Sequence, residues 1–132
     1  MYEKYVVNVA QETGYTVSDP YKRTVKHIFA PDLRNVKQLT FSHITIPPGS
    51  KTDNHTHDRG ELIYVISGYG RVSMGEEVYD VELDFALWVP KGVKHELKNT
   101  GKEAVKIITL FVPAYKSSEL KSKILDPSRK TA

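Results

Sequence analysis

The sequence predicts an all-β fold assembled from short antiparallel strands. Three observations carry that prediction. Seven or eight apolar or alternating runs are packed into about 90 residues in the middle of the chain. Most of them close on a Gly, Pro or Asn turn signal, and no ten-residue helical stripe competes in the same region. Strands this short and this evenly spaced argue for a sandwich or barrel, because βαβ units would need a helical pattern between them.

Taken in order, residues 24–30 (TVKHIFA) form the first clear run, broken by Pro31-Asp32. Residues 36–46 alternate through Leu39 and Phe41, then shift at Ile44 and Ile46, a pattern that a bulge or burial on two faces explains. Pro47-Pro48-Gly49 ends that strand. The run ELIYVIS (61–67) is rich in β-branched and aromatic residues and closes on Gly68. Two further strands follow around Arg71–Met74 and Val78–Leu83, turning at Gly75. Phe85, Leu87 and Val89 alternate up to Pro90-Lys91-Gly92, after which come residues 93–99 and a last long strand at 103–112. One short helix is expected in the tail, at SSELKSKIL (117–125), with Ser117 or Ser118 as its cap.

A chain of 132 residues is one domain in size and buries roughly two thirds of its unfolded surface. It contains no cysteine, which excludes a disulfide scaffold, a thiolate nucleophile and any Cys-ligated zinc or iron–sulfur site. Any metal must be held by nitrogen and oxygen. The first residues carry charges where a signal peptide needs an apolar run, and no stretch of 18 apolar residues exists, so a cytoplasmic protein without membrane contact is expected. Residues 1–113 carry 14 basic and 14 acidic side chains, so the net charge of +3 resides in the tail, in Lys116, Lys121, Lys123, Arg129 and Lys130 against Glu119 and Asp126. A neutral body with mixed signs is a poor footprint for nucleic acid, and the tail reads as a solvated segment.

The chemistry concentrates in HTHDRGE, residues 55–61. His55, His57 and Glu61 share parity, so along an extended segment their side chains point to one face. Imidazole and carboxylate together suit manganese, iron, cobalt, nickel or zinc. His95, in VPKGVKH, supplies a further imidazole from another strand, sharing its face with Leu97 and Asn99.

These residues resemble the two motifs of the cupin family. Gly49, His55, His57, Glu61 and Gly68 match every fixed position of G(x)5HxH(x)3-4E(x)6G. Pro90, Gly92, His95 and Asn99 match G(x)5PxG(x)2H(x)3N, with Asp84 standing where that motif has its first glycine. Aspartate is among the few residues that visit the left-handed region, so the turn is expected to survive the change. The resemblance implies a cupin double-stranded β-helix, a jelly-roll barrel, over residues 36–113. A short N-terminal arm with the first strand or strands precedes it at 1–35, and a charged tail follows at 114–132. It also implies that His55, His57, Glu61 and His95 hold one divalent transition-metal ion per chain, and that the chain forms a homodimer.

Around this site, Arg59 is a candidate catalytic residue that could clamp a substrate carboxylate, or else pair with Asp53 or Asp58. His43 is a second candidate, as an inward-facing proton shuttle, with His27 a similar case; both also fit as ordinary core or surface histidines. Ile63, Val65, Leu97, Phe85, Leu87 and Val89 are expected to line the cavity. Tyr64 and Trp88, of opposite parity, are expected on the outer face or at a subunit interface. Tyr2, Tyr5, Tyr15 and Tyr21 precede the barrel and either pack outside it or cross its mouth. Two functions follow. One is a metal-dependent enzyme acting on a small oxygenated or carboxylated substrate, of lyase, isomerase, decarboxylase or dioxygenase type. The other is a non-catalytic protein whose metal organises a small bound ligand.

Overall fold

The computed structural model describes residues 1–126 and residue 128. Arg129 and Lys130 of the basic tail lie outside the described residues. Alternation of buried and less buried residues, regular in β3, β8 and β9, builds two sheets that face each other. In the last strand, for example, Val105, Ile107, Thr109 and Phe111 are buried, while the residues between them are not. The strands are β1 (Tyr15–Val17), β2 (Arg23–Phe29), β3 (Thr40–Ile46), β4 (Gly60–Ser67), β5 (Tyr69–Met74), β6 (Glu77–Glu82), β7 (Ala86–Val89), β8 (His95–Asn99) and β9 (Val105–Val112). The larger sheet runs in the order β1-β2-β3-β9-β4-β7, and the smaller in the order β6-β5-β8. Every strand pairing among the described residues is antiparallel.

The all-β prediction therefore holds, but the closed barrel does not. Among the described residues neither sheet closes on itself, and the two keep separate edges at β1, β7, β6 and β8. Two isolated bridges, His55 with His95 and Lys51 with Lys98, stitch the segment before β4 to β8. The core between the sheets is aliphatic, built from Val25, Ile46, Val65, Val72, Leu97 and Val105 among others.

The irregularity expected in residues 36–46 belongs to another strand. β3 alternates without a break, with Thr40, Ser42, Ile44 and Ile46 inward. Register shifts fall instead in β2, between His27 and Phe29, and in β4, between Val65 and Ser67. The sequence pattern misleads because two inward positions of β3 are polar, while Phe41 lies on the other face. Those polar groups are satisfied: the Thr40 hydroxyl donates to the Tyr115 carbonyl at 2.7 Å, and Ser42 bonds His27.

Asp84 has φ +71°, so it does occupy the left-handed turn, and its carboxylate accepts the Tyr64 hydroxyl at 2.6 Å. Gly68 is more demanding, with φ +89° and an added Cβ only 2.7 Å from the Ala104 carbonyl oxygen. Gly68→Ala should cost more than about 1 kcal/mol, from strain and from backbone contact together. Denaturant unfolding of the variant would read this, and unchanged stability would refute it.

The helix α1 (Ser117–Leu125) follows the strands and buries Leu120 and Ile124. Neither serine caps it. The exposed amides of Ser117 and Ser118 donate to Asp32, at 2.6 and 3.1 Å, and Asp32 lies in the loop between β2 and β3. Asp32→Ala should therefore cost about 1 kcal/mol by unfreezing the start of the helix, a loss that amide exchange across residues 117–120 would locate. No helix among the described residues is long and apolar enough to cross a membrane.

Candidate metal centre

His55 and His57 lie in the extended segment leading into β4, Glu61 is its second residue, and His95 opens β8 on the facing sheet. Register and bridging bring them together: Glu61 points inward from β4, and the His55–His95 bridge pulls the two segments into contact through both backbone amides. The potential ligand atoms of all four residues lie within 4.8 Å of one another. His95 Nε2 is 3.0 Å from Glu61 Oε1, and His57 Nε2 is 3.7 Å from the same oxygen.

Backbone carbonyls orient two of the rings. His55 Nδ1 lies 2.6 Å from the Asp53 carbonyl, and His95 Nδ1 lies 2.9 Å from the Val93 carbonyl. A ring that donates Nδ1–H to a carbonyl keeps Nε2 as a lone-pair donor, the tautomer a metal ligand needs. An ion with bonds of roughly 2.1 Å spreads its donors at most about 4.2 Å apart, so a closure of about half an ångström fits the cluster to it. The cluster can chelate one divalent ion per chain.

A buried ion pair supports this wall. Arg23 at the start of β2 and Asp53 are 3 % and 2 % exposed and meet at 3.2 Å, with Arg23 also donating to the Tyr21 carbonyl at 2.9 Å. Asp53 is the residue whose carbonyl holds His55, so the pair fixes the segment that carries the first ligand. Sequence reading missed Arg23; its signal was an arginine at the inward parity of β2, in step with Val25.

The cluster separates two spaces. Inside lies a cavity of about 40 Å³ lined by the four ligands and by Arg23, His27, Ser42, Thr109, Leu120 and Ile124, among others. Outside lies a cleft of about 360 Å³ bounded by His55, Thr56, His57, Asp58, Tyr115, Lys123 and Asp126. His55 and His57 line both. Of the predicted wall residues, Ile63 and Leu97 do line the inner cavity, while Phe85 is exposed and bounds a separate surface hollow. Trp88 lies on the outer face as expected, over Gly60.

The two candidate catalytic residues are placed elsewhere. The Arg59 guanidinium stacks on the Tyr115 ring at 3.6 Å, donates to the Ala114 carbonyl at 2.6 Å and donates to Asp58 at 3.1 Å. It pins the chain leading to α1 and does not line the inner cavity. Of the two acidic partners the sequence offered, Asp58 is the one it pairs with. His43 alternates to the face opposite Ser42 and Ile44 and pairs across the sheet with Lys26 and Ile108. Burial, with Lys26 and Lys106 nearby, lowers its pKa, and it too is absent from the cavity wall.

Tyr115 is a site residue that the sequence did not signal. It is buried, packs edge-on against Phe111 and His57, and donates its hydroxyl to Asp58. Burial, with the Asp58 carboxylate beside it, pushes its phenol up to about 12. The Tyr115 hydroxyl and Arg59 hold Asp58 down at about 2.

An antiparallel two-sheet fold with three inward histidines and a glutamate at one end of its core defines a metal-binding β-protein of the cupin class. The family described as "Cupin domain" matches residues 42–111, and the chain belongs to it. An uncharacterized protein of Methanocaldococcus jannaschii, MJ1618, is 27% identical over 109 residues, covering 79% of this chain and 87% of that protein. The xanthan biosynthesis protein XanB of Xanthomonas campestris is 29% identical over 114 residues, which are 85% of this chain but 24% of XanB. Among solved structures, a "predicted oxalate decarboxylase" of Thermotoga maritima superposes with a TM-score of 0.75 at 19% identity, over 82% of this chain and 98% of that one. At that identity the likeness speaks for the fold.

Proposed function

We propose that the protein is a divalent-metal-dependent enzyme acting on a small oxygenated or carboxylated molecule, with His55, His57, Glu61 and His95 as the ligands. One observation carries this reading. The cluster shares its cavity with ionisable groups that are not ligands, Arg23 and His27, where a purely aliphatic wall would suit simple ligand storage. A bound ion would supply Lewis acidity, polarising an oxygen of the substrate. The chain's own residues hold the geometry: Arg23 and Asp53 fix the His55 segment, and Leu120 and Ile124 of α1 exclude bulk water from the inner end. The outer cleft has the size of a small-molecule site, so the substrate enters there and meets the ion past His55 and His57. The description of the T. maritima protein agrees with a small carboxylate. The outer face of β7 and β9, where Trp88 and Val112 are about half exposed, suits the contact surface of a homodimer.

The test compares metal-free and metal-reconstituted protein against a panel of hydroxy acids, keto acids, dicarboxylates and sugar derivatives, followed by mass spectrometry. Metal-dependent turnover that Glu61→Gln abolishes supports the enzyme. Saturable binding of a panel member with no turnover would overturn it in favour of a binding protein.

A further inference from the structure

We propose that Ser42, His27 and Tyr15 form a proton relay joining the metal cavity to the protein surface. It rests on the enzyme reading above and assigns that enzyme an acid–base group that is not a metal ligand.

The relay begins at an anomaly in the packing. Ser42 is 1 % exposed and stands at an inward position of β3 between Thr40 and Ile44. A hydroxyl placed there costs desolvation unless it is bonded. Its Oγ lies 2.7 Å from His27 Nδ1, across the β2–β3 pairing that sets these two residues opposite each other. The other ring nitrogen, Nε2, lies 2.7 Å from the Tyr15 hydroxyl on edge strand β1. Tyr15 is only half-buried, with Lys121 of α1 against its ring at 5.0 Å. Three groups that each donate and accept thus form one chain from the interior to the sheet edge.

Ser42 and His27 line the same cavity as the four ligands. That cavity has room for only a few water molecules, so Ser42 is within reach of whatever occupies it. Both imidazole nitrogens being hydrogen-bonded gives the ring two neutral tautomers, related by moving one proton along the chain. The transfer balances. As an O–H in the cavity yields its proton to Ser42 Oγ, Ser42 passes its own to Nδ1. His27 then releases the proton on Nε2 to the Tyr15 oxygen, and the phenolic proton leaves to solvent. No oxidant or reductant enters.

A relay works best when its central imidazole does not trap the proton. Burial does this for His27, lowering its pKa to about 4, with Asp32 raising it and Lys121 lowering it further. A merely structural histidine needs neither two-sided amphoteric bonding nor a cavity-facing partner; a glutamine would serve, since it offers a donor and an acceptor but cannot exchange them.

The experiment uses the full chain loaded with Mn²⁺ as a relaxation probe. Bulk-water proton and oxygen-17 relaxation are measured together, which separates the exchange of protons from that of whole water molecules. The relay predicts that protons leave the cavity faster than oxygens in the wild-type protein. Ser42→Ala and His27→Gln, at unchanged Mn²⁺ content and with cooperative unfolding, should lose that excess. Tyr15→Phe, which keeps the ring and deletes only the hydroxyl, should lose it as well and covers the case in which an interior variant does not fold. Equal proton and oxygen exchange in the wild type overturns the relay, as does an undiminished excess in Tyr15→Phe. A protein that takes up none of manganese, iron, cobalt, nickel and zinc overturns the metal reading and the relay with it, an outcome distinct from the other two.

Discussion

Replacing His95 by Ala should abolish tight metal binding while leaving the fold intact. The wild-type chain, titrated with Mn, Fe, Co, Ni or Zn to a thousand times its dissociation constant, should gain about 4 kcal/mol, because the ion binds the assembled cluster and not the unfolded chain. His95→Ala removes the one ligand contributed by the smaller sheet and takes the 3.0 Å partner from Glu61. The remaining three ligands all come from one continuous segment, residues 55–61, so they keep their mutual geometry but lose the clamp across the two sheets. Most of the metal-dependent stabilisation should vanish, read as the gap between metal-loaded and metal-free melting temperatures within each protein, so that the cost of removing a buried side chain cancels. Thermal unfolding with and without metal reads both quantities. A variant stabilised by metal as strongly as the wild type would remove His95 from the site.

Acidification should destabilise the metal-free protein through His27. Its imidazole has a pKa of about 4 in the folded chain against 6.5 ordinarily, chiefly because it is buried. The sign follows from which state binds the proton first. Above the ordinary value both states are neutral and the group is silent. As pH falls below it, the unfolded chain takes up the proton and the folded chain does not, so stability drops until the folded value is reached. The difference amounts to about 3 kcal/mol across that window. His27→Gln has no such titration and should lose less stability between about pH 7 and about pH 4 by that amount. Parallel denaturant unfolding of both proteins at the two pH values measures it, the histidine ligands contributing equally to each. Identical pH dependence in the two would contradict the burial of a neutral His27.

How much of this was legible in the sequence depends on where each signal sits. The ligands were readable because their spacing carries the geometry: 55, 57 and 61 share a face in an extended segment, and Pro90-x-Gly92 announces the turn that delivers His95. Asp84 was readable as a left-handed residue for the same local reason, and its φ of +71° agrees. What failed to show was non-local or carried by polar residues in core positions. Thr40 and Ser42 broke the apolar alternation of β3, so the inward face was read one residue out, and His43 was imagined facing the cavity that Ser42 actually faces. Strand β1 is only three residues long, too short for any periodicity to reveal. The cap of α1 comes from Asp32, 85 residues away in the chain, and no local pattern could name it. The stacking partner of Arg59, Tyr115, approaches from the far end of the chain, where no local pattern could name it.

The same division explains the character of the site. Its metal-binding half comes from short motifs, whereas Arg23, His27 and Ser42 come from β2 and β3, strands that a reader of the motifs would treat as scaffold. They share a cavity with the cluster because the larger sheet carries β2 and β3 alongside β9 and β4. Leu120 and Ile124 of α1 complete the lining of that cavity. Burial there lowers the local dielectric, which strengthens every polar contact at the cluster and raises the cost of leaving any of them unmade.

The central claim is that the four residues hold one ion. Elemental analysis of the purified protein, set against protein concentration, tests it most directly. About one divalent transition-metal ion per chain is expected, falling toward zero in His95→Ala. A metal-free wild-type protein whose thermal stability is unmoved by added manganese, iron, cobalt, nickel and zinc would contradict it.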